Sequence, residues 1–182
     1  MNTFEVINKR RSVRSFSDEK IDENDLEKII ETGKIAPVAG KFQITVVQNK
    51  EILNKLNDAV KEALKASGDE ARIAQAENPD YNAFYGANTF VLFSAPDENP
   101  FGALDTSLAA ENIILASTEL GLGTCYMLTP VFPLQSPENE ELLKKFELPE
   151  GYKPIGAVVI GKISSGIQYP ERNNLNNVNY VK

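Results

Sequence analysis

The stretch Lys9-Arg10-Arg11-Ser12-Val13-Arg14-Ser15-Phe16 gathers three of the chain's five arginines into five residues, in a protein of formal net charge -7 at pH 7. Solubility does not require such a knot. Guanidinium groups hold their charge and present forked donors that match phosphate oxygens, and the Ser12 hydroxyl adds another donor. If the turn of an N-terminal helix continues through the stretch, Arg10 and Arg14 share a face at the i, i+4 spacing. Their like charges repel there, and a bound anion would relieve the repulsion. The chemistry is therefore anion binding, phosphate above all. The plainer alternative is a solvated basic end to a short helix.

Little other side-chain chemistry is available. The 182 residues contain no histidine and one cysteine, Cys125. A Ser-His-Asp triad, a Cys-His pair and a His-ligated zinc are excluded, and one cysteine cannot hold an iron–sulfur cluster within one chain. No acidic run resembles a calcium loop, so no metal site is expected. Cys125 lacks an evident base and reads as a small buried hydrophobe. So poor a set makes a bound organic cofactor the more plausible source of chemistry in an enzyme. The acidic balance, with no basic stripe beyond the one knot, argues against nucleic-acid binding. No apolar run approaches the ~20 residues of a membrane span, and Met1-Asn2-Thr3-Phe4-Glu5 lacks the layout of a signal peptide. With a single cysteine, a reducing cytoplasm is the expected compartment.

The elements that must position these residues follow from patterning. Phe4, Val6 and Ile7 suggest a short first helix ending near the arginines. Asp22 caps a second, with Asp25 at its third position, Leu26, Ile29 and Ile30 as its stripe, and Gly33 at its end. Phe42–Val47 reads as a strand. Ile52, Leu53, Leu56, Val60, Ala63 and Leu64 predict a long amphipathic helix. Residues 67–88 read as a mobile excursion with a short helix around Arg72 to Ala76. Thr89–Phe93 is a buried strand, and 104–120 a helix apolar nearly all round, hence central or shared with a partner subunit. Thr124–Met127 is a short strand, Ser136-Pro137 a helix start, and Ile155–Ile160 another buried strand. Residues 164–182 lack periodicity and form an arm. One domain over 1–182 is expected, an α/β or α+β sandwich.

Two further segments bear on a site. Ala36-Pro37-Val38-Ala39-Gly40-Lys41-Phe42-Gln43 joins a helix to a strand; its small residues would let the backbone approach a flat ligand, although taken alone a plain connection containing Pro and Gly is the simpler reading. Gly121-Leu122-Gly123-Thr124 lacks the third glycine of a dinucleotide fingerprint and follows a helix instead of a strand, so that reading is rejected.

Taken together, Arg-Arg-Ser-x-Arg-x-Phe, Ala-Pro-x-Ala near 37, Gly-x-Gly-x-Cys near 123 and a late arginine, in this order and spacing, resemble the FMN-dependent nitroreductase family. The resemblance runs from about residue 2 to about residue 173. It implies an α+β sandwich with a central, mainly antiparallel sheet flanked by helices, built as an intertwined homodimer with FMN at the interface. It implies that Arg10, Arg14 and Arg172 lie on the phosphate side, with Arg11 and Ser12 near phosphate, ribityl chain and ring edge. Pro37, Val38, Ala39 and Lys41 match the loop lent by the other subunit. Tyr126, Met127, Leu128 and Thr129 match the segment covering the flavin. The family commonly has asparagine in place of Lys41 and serine in place of Val38. Its Gln-Pro-Trp reads Gln43-Ile44-Thr45 here, and its Ala-Pro before the second strand reads Ala87-Asn88.

The activity so implied is NADH- or NADPH-driven reduction of a nitroaromatic, a quinone or a related small acceptor. Hydride would pass in turn to and from flavin N5, with no catalytic side chain. Because fold does not settle reaction, a flavin-storing or sensing protein and a phosphate-ligand module without flavin stand as alternatives.

Overall fold

The computed structural model describes residues 1–172, 175 and 177–182. The first helix, α1 (Thr3–Lys9), opens with a reciprocal cap. The Asn2 side chain accepts from the Glu5 N–H, and the Glu5 carboxylate accepts from the Asn2 N–H, both at 3.0 Å. Two otherwise free donors of the first turn are satisfied this way. Helix α2 (Glu23–Lys34) starts at Asp22, whose carboxylate accepts from the Asn24 and Asp25 N–H groups. It runs through Gly33 to Lys34, so the glycine does not end it. A Cβ at Gly33 would lie 2.7 Å from Ile113 Cδ1. The glycine serves close helix packing. Strand β1 (Gln43–Val47), helices α3 (Lys50–Lys65) and α4 (Glu70–Glu77), β2 (Thr89–Pro96), α5 (Gly102–Glu119), β3 (Gly123–Met127), α6 (Val131–Leu134), α7 (Glu140–Leu143) and β4 (Tyr152–Gly161) follow.

The four strands form one antiparallel sheet in the order β1-β2-β4-β3. Alternation along β2 sends Phe90 and Leu92 to one face and Val91 and Phe93 to the other. On β4, Ala157 and Val159 join the first face, and Val158 and Ile160 the second. The first face is covered by α3, α4, α6 and α7, the second by α2 and α5. Two cores, one on each side, are why β2 and β4 read as unbroken apolar runs. Phe90 anchors the first core, edge-on to Phe84 at 5.4 Å and Phe146 at 6.3 Å.

Three stretches differ from the sequence expectation. The polar excursion holds the expected short helix as α4, Glu70–Glu77, but is better built beyond it than its composition suggests: Ala83, Phe84 and Ala87 are buried beneath the sheet. Asn57 and Asn82 hold that turn, accepting from the Ala83 and Phe84 N–H groups at 2.8 Å each. The Ser136-Pro137 signal opens only a 3-10 turn, Pro137–Asn139, before the short α7. The turn of α1 does not continue past Lys9: Arg10 leaves the helix at φ -52° and ψ 134°.

Helix α5 is the central element. Asp105, Thr106, Ala109, Ala110, Ile113, Ile114, Ser117 and Thr118 are buried, and the Thr106, Ser117 and Thr118 hydroxyls return to carbonyls one turn back. Its other side keeps Leu104 and Leu108 exposed, at 65% and 47%. After β4, Ile163 bridges to Phe16. The described residues of the arm expected over 164–182 carry no helix or strand, and residues 173, 174 and 176 lie outside the described ones.

Candidate functional site

Past α1 the chain runs extended and joins the open edge of β3. Val13 N–H donates to Thr124 O at 2.8 Å, and Ser12 bridges Thr124 in parallel. Extended backbone alternates sides every residue. Arg10 and Ser12 therefore face one groove, while Val13 is buried and Arg11 faces away. The i, i+4 face imagined for Arg10 and Arg14 does not form, because the chain leaves the helix at Arg10; Arg10 and Ser12 line the groove, and Arg14 is not among its lining residues. Gly123 permits this crossing, because a Cβ there would meet Val13 Cγ2 and Ile163 Cγ1 at 2.9 Å and Phe16 Cε1 at 3.0 Å.

The groove is lined by Arg10, Ser12, Ser107, Ala110, Glu111, Ile114, Thr124 and Tyr126 and encloses 360 Å³, open on one side. Its walls are the arginine segment, α5 and β3. Tyr126 projects from β3 over Gly156 of β4, where a Cβ would lie 2.3 Å from the Tyr126 hydroxyl. Since Thr124 O turns to the open edge to meet Val13, strand alternation turns the Tyr126 N–H to that same edge. Met127 is buried, so its side chain belongs to the core, whereas Leu128 and Thr129 are exposed beyond the strand.

The positive charge is concentrated and unneutralised. Arg172 reaches back from the arm and donates Nη2 to Ile7 O at 3.1 Å and to Arg10 O. Arg11 Nη1 donates to Asn8 O at 2.8 Å and Arg10 O at 2.9 Å. Desolvation, then the charges of Arg11 and Arg10, lower the pKa of the Arg172 guanidinium from its ordinary value. Among the described residues no ion pair includes an arginine. Such a cluster, with Arg10 lining the groove, is suited to an anion. Arg11, lying in a second cleft with Lys9, Gly121, Leu122 and Tyr169, closes the end of α1 and does not line the groove. Burial raises the pKa of the Cys125 thiol, with the nearby Arg14 charge opposing the shift, so the thiol is kept protonated and unreactive.

The loop of Pro37, Val38, Ala39 and Lys41 is not brought to the groove. It lies at the N-terminal end of α5, where its backbone is tied to Asp105. All four residues are exposed. Within one chain the expected site therefore falls into two separated halves. Sequence reasoning missed Ser107, Glu111 and Thr124, which reach the groove only because α5 and β3 flank it, and Asp105, whose partners lie 65 and 66 residues away. No sequence signal marks them beyond Asp105 sitting in the first turn of a helix.

The fold and groove define an α+β protein with a cleft on the edge of its sheet that Arg10 lines. Residues 7–162 match the model of the Nitroreductase family, and the chain belongs to that family. A protein of Archaeoglobus fulgidus, provisionally designated NADH dehydrogenase/NAD(P)H nitroreductase, is 30% identical over 159 residues, covering 86% of this chain and 82% of its own. A Bacteroides fragilis nitroreductase solved with bound FMN superposes at a TM-score of 0.91, with 28% identity and 100% of both chains covered. An FMN-bound nitroreductase from Desulfitobacterium hafniense superposes at 0.89, with 26% identity, again over 100% of both. Among the described residues, no helix is long and apolar enough to cross a membrane.

Proposed function

We propose that this protein is an FMN-dependent NAD(P)H oxidoreductase, a homodimer acting in the cytoplasm on a nitroaromatic, quinone or related small acceptor. The observation that carries the reading is the unneutralised cluster of Arg10, Arg11 and Arg172 beside a groove on the β3 edge. The residues fit the cofactor. Arg10 lines the groove and would supply forked donors for its phosphate, with Arg14 and Arg172 assigned to the same phosphate by this reading, and Ser12 and Thr124 line the groove where a polyhydroxyl chain would run. Tyr126 offers an aromatic face and an outward N–H for a planar ring. FMN, when bound, would supply the hydride-transfer chemistry between a nicotinamide donor and the acceptor.

The chain's own contribution is to bind, orient and exclude water. Ala110 and Ile114 give the groove an apolar wall, and the chain has no histidine to move a proton. The open side of the groove and the exposed loop at 37–41 are the two halves of one site if a second copy docks on α5. The uncovered Leu104 and Leu108, with Phe4 and Ile7 on the adjacent α1, support that docking. One domain over 1–182 with its arm fits the single sheet to which all four strands belong.

The test is the visible spectrum of the purified protein, identification of any released chromophore, and steady NADH and NADPH oxidation with a nitroaromatic or quinone. A flavin spectrum with turnover well above free FMN supports the reading. A flavin-loaded protein without turnover would leave the storage or sensor alternative, and a colourless one that takes up no FMN the phosphate-ligand module.

A further inference from the structure

Asp105 is 3% exposed, yet no cation pairs with it among the described residues. Its charge is met by backbone. Oδ1 accepts the Ala39 N–H at 2.8 Å, and Oδ2 accepts the Gly40 N–H at 2.9 Å. Asn99 completes the arrangement: Nδ2 donates to Asp105 Oδ2 at 3.4 Å and to Lys41 O at 3.3 Å, while Oδ1 accepts the Phe101 N–H at 2.9 Å. Three successive loop residues are thus gripped by their backbone. The grip is close: a Cβ on Gly40 would lie 2.5 Å from Asn99 Nδ2, so any larger residue there would have to displace the Asn99 amide.

A buried carboxylate held by two consecutive N–H groups fixes a loop firmly. The loop, however, offers its own chain little: Pro37, Val38 and Lys41 stay exposed, and Lys41 makes no ion pair among the described residues. Rigidity without a local recipient is the property of a surface shaped for another molecule. The apolar side of α5 carrying Leu104 and Leu108 begins at the same helix end. A second copy seated there would receive the loop.

We propose that Asp105, assisted by Asn99, is a positioning residue acting in trans: it sets the loop 37–41 in the shape that completes the cofactor groove of the partner subunit. The inference rests on the two-subunit reading above. Asp105 touches neither cofactor nor substrate and acts through the backbone of Ala39 and Gly40.

The two possibilities, action on the partner's site and action on its own, separate in mixed dimers. One chain carries Arg10→Ala with an intact loop; the other carries Asp105→Asn with an intact Arg10. Differently tagged chains are co-purified as the heterodimer and titrated with FMN by fluorescence. Action in trans gathers both lesions into one site and leaves the other with wild-type affinity. Action in cis leaves no wild-type site. The expected result is half the sites at wild-type affinity, with the Asp105→Asn homodimer weakened about tenfold, the loss of roughly one charge-assisted contact set. Should Asp105→Asn fail to fold, Asn99→Ala, which leaves the carboxylate on its two N–H groups, takes its place in the same mixing design. A heterodimer without any wild-type-affinity site, or homodimer variants that bind FMN as the wild type does, would overturn the inference. A monomeric or flavin-free wild type would instead overturn the reading beneath it.

Discussion

Arg10 and Arg11 are adjacent and chemically identical, yet the extended backbone sends them to opposite sides of the chain. Their replacements should separate. In Arg10→Ala the groove loses a forked cation, while the Arg10 carbonyl that accepts from Arg11 and Arg172 remains. A charged hydrogen bond to phosphate is worth about 1.5–3 kcal/mol, so FMN affinity should fall roughly ten- to hundredfold. Melting of the cofactor-free protein should barely move. In Arg11→Ala the groove keeps its lining, but the last turn of α1 loses donors to Asn8 O and Arg10 O. Neutral-acceptor contacts of this kind net about 0.5–1.5 kcal/mol, which for a chain of this length lowers Tm by roughly 1–6 °C. FMN affinity should change less than about threefold, through long-range charge alone. The assay is fluorescence titration of FMN at two salt concentrations, paired with thermal melts of the cofactor-free proteins. Equal loss of FMN affinity in both variants, or none in Arg10→Ala, would refute the assignment of sides.

Lys41→Asn restores the neutral amide that the resemblance leads one to expect and should lower the two-electron flavin potential by tens of millivolts with Tm unchanged. One charge at about 6 Å and an effective dielectric near 20 sets that upper scale; spectroelectrochemistry within a few millivolts of wild type would show the ammonium points to solvent. The Asp105 carboxyl is held below its ordinary value of 3.8, first by the Ala39 N–H and further by Asn99 and the Gly40 N–H, with desolvation opposing. Its folded pKa is the lower one, so its stabilising effect is complete above 3.8 and is lost as pH falls through the folded value. Acid unfolding of Asp105→Asn should accordingly be less steep than that of wild type below pH 3.8, and parallel curves would contradict the linkage. Leu108→Glu puts a charge on the uncovered side of α5 and should give monomers with weakened FMN binding by sedimentation and titration; a dimer as tight as wild type would place the interface elsewhere.

Much of the architecture was legible along the chain because it is written in local terms. The cap at Asp22, the helical spacing of Leu53, Leu56, Val60 and Leu64, and the apolar runs of β2 and β4 depend on neighbours a few residues away. The arginine knot pointed to anion chemistry by residue type alone, whereas Arg172 entered only through the family resemblance. What the chain could not declare is which side each residue faces once α1 stops. A helical continuation would have united Arg10 with Arg14, whereas the extended one joins Arg10 to Ser12 and turns Arg11 away, and pairing with the β3 edge decided between them. The same holds for residues 78–88, whose polar composition hid the burial of Ala83 and Phe84 under the sheet, and for Asp105, indistinguishable in sequence from an ordinary first-turn acid. Each depends on a contact between segments distant along the chain. Residue type and spacing determine local conformation and the kind of chemistry on offer, whereas the side on which that chemistry appears is set by long-range pairing, which closes loops that no local window contains.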